Sequence, residues 1–164
     1  TLARATARLQ SVLFSFEPPE FTTHQRKANT FYHPAQGSYA LNHDSFEFSV
    51  RVGPNRMPLY PVTGFSQSIH KLSDAVGISA SSCFSLALKS DEYRTNSFIA
   101  GVNCEKVPQA AFTGLDTRGG DQICIEGRLF GADAGPNRYP RSITVALYVE
   151  GAVNIRDSGI DVVG

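Results

Sequence analysis

The sequence has no tryptophan, one methionine, three cysteines and a charged fraction of only 18%. With so few cysteines in 164 residues it is not a disulfide miniprotein, and a chain of this length buries a core unaided. Cys83, Cys104 and Cys124 sit about twenty residues apart without a C-x-x-C pair. That spacing indicates neither a zinc knuckle nor a redox dithiol, and one thiol stays odd whatever pairs. The favoured reading is three small buried hydrophobes in a reducing compartment. The 15 basic and 15 acidic side chains cancel to a net charge of +0. A nucleic-acid-binding domain draws its affinity from a basic patch, and no direct one is visible here. No run approaches 18 apolar residues, so the sequence predicts no membrane-spanning helix. The N-x-S/T sequon is missing as well, which fits an intracellular protein and leaves secretion open.

What is abundant points one way. Eleven Phe and 6 Tyr favour strands, while 14 Gly and 9 Pro cut the chain into short pieces. The composition predicts an all-β protein. Residues 1–164 read as one domain, with an N-terminal arm over 1–43 and the main strands over 44–164. Because it opens on Thr1 rather than Met, the sequence is expected to be part of a longer protein.

The opening residues carry two patterns. Leu2, Ala5, Leu9, Val12, Leu13 and Phe16 approximate a helical stripe, yet 11–17 alternates like a strand; Pro18 and Pro19 stop either element. A long polar and aromatic excursion follows, with one short strand expected around 38–41. Phe46, Phe48, Val50 and Val52 alternate with Glu47, Ser49 and Arg51, the clearest half-buried strand in the chain. Gly53-Pro54-Asn55 ends it as a turn. A helix is predicted over 66–76, with Ser66 as N-cap, Ile69, Leu72, Ala75 and Val76 as its apolar stripe, and Gly77 as the left-handed stop. Strands are then expected within 82–88, 97–107, 122–130 and 142–150, with one or two more in 153–163. Strands joined by generous loops and interrupted by one short helix describe an antiparallel two-sheet sandwich of jelly-roll or Greek-key type.

Catalytic groupings are not evident. His24, His33, His43 and His70 have no metal-pair spacing, and no G-x-S-x-G elbow occurs; Ser81 and Ser82 beside Cys83 lack a nominated base. Asp116 and Asp121 bracket a glycine-rich turn that offers calcium only two carboxylates, so an Asp–Arg salt bridge across the turn is the preferred reading. No catalytic residue, metal ligand or cofactor is therefore assigned. One short repeat stands out: Gly53-Pro54-Asn55-Arg56-Met57-Pro58 returns as Gly135-Pro136-Asn137-Arg138-Tyr139-Pro140. It reads either as turn chemistry used twice or as two arginine-bearing contact loops.

The segments 65–72, 98–103 and 111–121, with Val153-Asn154-Ile155-Arg156-Asp157-Ser158-Gly159 near the end, give residues 57–164 a resemblance to a family. They resemble the C-terminal part of jelly-roll capsid-like structural proteins of viruses and virus-derived elements of aquatic invertebrates. The resemblance implies a structural, non-enzymatic coat protein located in a virion, self-assembling with other copies and meeting other capsid or host-surface proteins. Eleven Arg against 4 Lys fits interface composition, since Arg is the charged residue that interface centres retain. Candidate contact residues are Arg56, Arg138, Phe31, Tyr32 and Tyr39. The alternative is a lectin-like or receptor-binding β-sandwich in which Tyr60, Tyr93 or Tyr139 stacks on a sugar ring. A cupin-like enzyme ranks third, for want of the H-x-H spacing its metal requires.

Overall fold

A computed structural model of the chain describes residues 1–3, 5–17, 31, 46–77, 88–89, 92–93, 97–105, 113–128, 142–156 and 159–163. Its elements are β1 (Leu9–Phe16), β2 (Glu47–Val52), β3 (Asn55–Thr63), α1 (Gly64–Val76), β4 (Ile99–Asn103), β5 (Ile123–Arg128), β6 (Ile143–Val149), β7 (Ala152–Arg156) and β8 (Gly159–Val163). Two three-stranded antiparallel sheets, ordered β4-β1-β6 and β3-β2-β5, form an all-β sandwich, and β7 and β8 pair as a separate hairpin. The expected all-β, two-sheet antiparallel sandwich is thus present, with one helix among the described residues.

Period-2 alternation fixes which side chains meet between the sheets. Val12, Phe14 and Phe16 of β1 and Ala100 and Val102 of β4 are buried, as are Phe46, Phe48, Val50 and Val52 in and beside β2. Phe14 meets Phe48 edge-on at 5.3 Å between ring centroids, and Phe16 meets Phe46 at 5.7 Å. Phe98 and Tyr93 extend this cluster to Phe65 of α1. T-shaped pairs place the electropositive edge of one ring on the face of the next, adding about 0.5–1.5 kcal/mol each beyond area burial.

The opening ambiguity is decided in favour of a strand. In β1 Ser11 and Ser15 are buried as well as the apolar face, because this central strand is covered on both sides. Its outer cover is α1, which packs on β4 and β1. Gly101 makes that approach possible: a Cβ there would lie 2.9 Å from Ala75 Cβ and 3.1 Å from Leu72 Cδ1.

One strand is unforeseen and two local expectations are corrected. Residues 55–63 form β3 although Pro58 and Pro61 argue against a strand; they are accommodated at a break in the ladder, where no N–H is required of them. The helix starts at Gly64 rather than Ser66, with Thr63 as N-cap. The Thr63 side chain makes no capping bond; instead the Gln67 side-chain oxygen accepts from the Thr63 N–H at 2.9 Å. Val76, assigned to the apolar stripe, is exposed, and Phe65 is buried in its stead. Gly77 does end the helix in the left-handed conformation, φ 78°. The strand expected around 38–41 lies outside the described residues, as does all of the one expected within 82–88 except Leu88, which is in no strand.

Candidate interaction surface

Gly53 and Pro54 join β2 to β3 as a two-residue loop between the paired Val52 and Asn55. Gly53 adopts φ 56°, a conformation that favours glycine, and an added Cβ would also displace the Asp121 carboxylate that lies against it. Farther along, the register breaks. Phe48 pairs with Val62 and Val50 with Met57, leaving Pro58-Leu59-Tyr60-Pro61 opposite Ser49 alone. The surplus residues bulge away from the ladder, and they carry two large apolar side chains into solvent: Leu59 is 75% exposed and Tyr60 78%.

Beside this bulge lies a groove of about 570 Å³, lined by residues 58–63 together with Gln67, His70 and Lys71 of α1. His70 and Lys71 both approach Asp74, at 3.6 Å and 3.5 Å, so the helical wall is close to charge-balanced. The proline pair bracketing two apolar residues was the sequence signal for this surface, and it reads more readily as a strand breaker.

A second exposed apolar region is β6. Ile143 is 45% exposed, Tyr148 62% and Val149 40%. Ile143 and Val149 lie on the face that β6 shares with Phe14 and Phe16, whereas Tyr148 lies on the other. Among the described residues β6 pairs with β1 alone, which leaves it at the edge of its sheet.

The predicted contact residues do not gather into one site. Arg56 lies in β3 rather than in a loop, because the turn ends at Pro54. Its Nε donates to Ser49 Oγ at 3.1 Å, and its guanidinium sits 3.5 Å from Glu126, which also receives Arg51 at 3.0 Å. These partly exposed ions cross the outer face of the β3-β2-β5 sheet. Phe31 is exposed but belongs to the other sheet's side of the sandwich, where its carbonyl accepts from the Phe98 N–H at 3.0 Å. Arg138, Tyr32 and Tyr39 lie outside the described residues, as do Tyr139, His24, His33, His43 and Cys83.

Tyr93, named for sugar stacking, is buried, and this overturns that role. Its ring packs between Phe65 and Phe98, its hydroxyl donates to the Ile99 carbonyl at 3.0 Å, and desolvation raises its phenol well above the usual range. Cys104 is buried and its thiol pushed up to about 12 by desolvation, whereas Cys124 is half-buried with its sulfur 3.3 Å from the Thr1 hydroxyl. Both are free thiols.

The 116–121 turn is held by an internal ion pair. Arg118 N–H and Nε donate to Asp116 Oδ1 at 2.9 Å and 3.0 Å, and Nη2 reaches Oδ2 at 2.7 Å. The bonds from Arg118 hold the Asp116 carboxyl down at about 2. Thr117 turns inward, accepting from the Thr6 N–H at 2.8 Å in a buried hydroxyl pair. Among the described residues no three His, Cys, Asp or Glu side chains converge as metal ligands would, and no helix is long and apolar enough to cross a membrane.

Comparison with protein-family models, with curated proteins and with solved structures found no match for the chain.

Proposed function

We propose that this chain is a structural, non-enzymatic subunit of capsid or coat type that acts by self-assembly, with a jelly-roll sandwich as its scaffold and a virion as its place. The observation that carries the reading is the Pro58–Pro61 bulge. Two prolines hold Leu59 and Tyr60 out of a regular strand, at a cost in exposed apolar surface that folding alone does not repay. Aromatic residues on a rigid support are the usual anchors of protein interfaces, because they bury large area with little loss of side-chain freedom. Sedimentation velocity of the full chain at rising concentration tests the reading. Species larger than the monomer are expected, and the double variant Leu59→Asp, Tyr60→Asp lowers the mean sedimentation coefficient at matched concentration. A chain that stays monomeric at high concentration across salt and pH overturns it.

A second reading, a carbohydrate-binding module, draws support from the exposed Tyr60 ring at the mouth of the groove, with Gln67 and Lys71 as polar groups nearby. A glycan array probed with and without calcium discriminates the two, since a lectin gives hits that Tyr60→Ser abolishes.

A further inference from the structure

The outer edge of β6 has the properties of a pairing surface for a second copy of the same strand. Among the described residues, β1 is the only strand paired with β6. The backbone bonds flanking it come from even-numbered residues: Glu17 N–H donates to the Ser142 carbonyl at 3.0 Å, and Glu150 N–H to the Arg8 carbonyl at 3.1 Å. Hydrogen-bonded and non-hydrogen-bonded positions alternate along an antiparallel ladder, so Thr144, Ala146 and Tyr148 bond to β1. Ile143, Val145, Leu147 and Val149 accordingly point their N–H and C=O groups away from it.

This parity restricts what can add there. An incoming antiparallel copy has to match odd residues with odd, and the register that pairs all seven residues places a two-fold axis at Ala146. Ile143 then faces Val149 of the second copy and Val145 faces Leu147. On the other face Thr144 lies opposite Tyr148, while the small Ala146 meets itself where the two backbones come closest. None of these positions carries a charge, and the net charge of +0 gives two copies no long-range repulsion to overcome. The lysine, proline or inward charge that ordinarily blocks edge pairing is absent from residues 143–149.

We infer that β6 pairs antiparallel with β6 of a second copy about a two-fold axis at Ala146, joining two β4-β1-β6 sheets into one continuous six-stranded sheet. The inference rests on the self-assembly reading and specifies one of its contacts. A single seven-residue edge buries less than the roughly 1,600 Å² of a standard interface, so the pairing is weak and concentration-dependent. An isologous contact closes at a dimer, and the Leu59 and Tyr60 bulge is what joins dimers into larger species.

Two substitutions at the exposed Ala146 test the pairing. At a non-hydrogen-bonded pair the Cα atoms lie about 4.5 Å apart, within disulfide reach. Ala146→Cys, in a Cys124→Ser background and under mild oxidation, is therefore expected to give a covalent dimer whose linked peptides both contain position 146. Ala146→Glu sets two like charges face to face on the axis. Combined with Leu59→Asp and Tyr60→Asp, it converts the expected dimer to a monomer, with the far-ultraviolet circular dichroism unchanged. If the chain associates but yields no 146–146 link, or if Ala146→Glu leaves its mass distribution unaltered, the edge pairing is wrong while self-assembly stands. A chain that neither associates nor cross-links removes both.

Discussion

Gly101 is a point at which a single added methyl group meets the helix that covers the sandwich. A Cβ at this position would sit 2.9 Å from Ala75 Cβ, 3.0 Å from Leu13 Cδ2 and 3.1 Å from Leu72 Cδ1. The two leucine methyls end rotatable side chains and can give way. Ala75 Cβ is fixed to the helix backbone and yields only if α1 lifts from β4. Overpacking of this kind costs about 1–3 kcal/mol. Against it, replacing glycine restricts the unfolded chain and is worth about 0.4–1 kcal/mol. Gly101→Ala is thus expected to destabilise by about 1–2 kcal/mol.

The test of this attribution is the background. Ala75→Gly removes the obstructing carbon and by itself costs about 1 kcal/mol, as glycine does inside a helix. In that background the clash with the helix is gone and only the unfolded-state gain is left. Gly101→Ala should then become neutral or stabilise by about 0.5 kcal/mol, a change of sign. Urea unfolding of all four proteins, followed by far-ultraviolet circular dichroism because there is no tryptophan to report, supplies the cycle. Additivity to within about 0.5 kcal/mol would refute the claim that Ala75 is what Gly101 makes room for.

Other perturbations probe separate parts of the fold. Thr117→Val leaves the buried Thr6 N–H without its 2.8 Å acceptor, and a loss of about 1–3 kcal/mol is expected by the same denaturation assay. Tyr93→Phe removes the bond to the Ile99 carbonyl and should cost about 0.5–1.5 kcal/mol, whereas Tyr60→Phe, on an exposed ring, should leave stability unchanged. The Asp116 carboxyl should titrate near 2 by NMR, and Arg118→Gln should return it toward the ordinary 3.8. Because the folded value is depressed, the turn's stabilisation is present above about pH 4 and disappears as pH falls through 2. At pH 8 an alkylating reagent should label Cys124 in the native protein and reach Cys104 only after unfolding, as read by peptide mass spectrometry.

Legibility in the sequence followed the strength of local pattern. The alternation from Phe46 to Val52 identified β2 because one of its faces is apolar and the other carries Glu47 and Arg51. Gly77 was readable as a helix stop because few residues other than glycine tolerate its φ. β3 was not readable: prolines exclude a regular strand, and nothing local reveals that the ladder skips four residues beside Ser49. Tyr93 failed for a related reason. An isolated tyrosine between polar neighbours looks like a surface residue, and only the tertiary placement of Phe65 and Phe98 around it makes it part of the core. Arg56 was singled out for the turn it follows, and its exposed position on a sheet face reflects pairing with Arg51 that the turn motif does not encode.

The contrast between β1 and β6 shows where sequence stops deciding function. Leu9–Phe16 and Ile143–Val149 are both apolar strands without charge, and they pair directly with each other. β1 lies between β4 and β6 and under α1, so even its serines are buried. β6 is likewise uncharged, but among the described residues it is paired on one edge alone, and several of its apolar side chains are accessible surface. Neither strand's own sequence encodes that difference; it comes from which neighbours the fold supplies. An apolar strand at an edge tends to pair with another strand, and natural sequences usually suppress that tendency with a charge or a proline. Residues 143–149 contain neither, and the proposed β6–β6 pairing is the contact that this missing protection would permit.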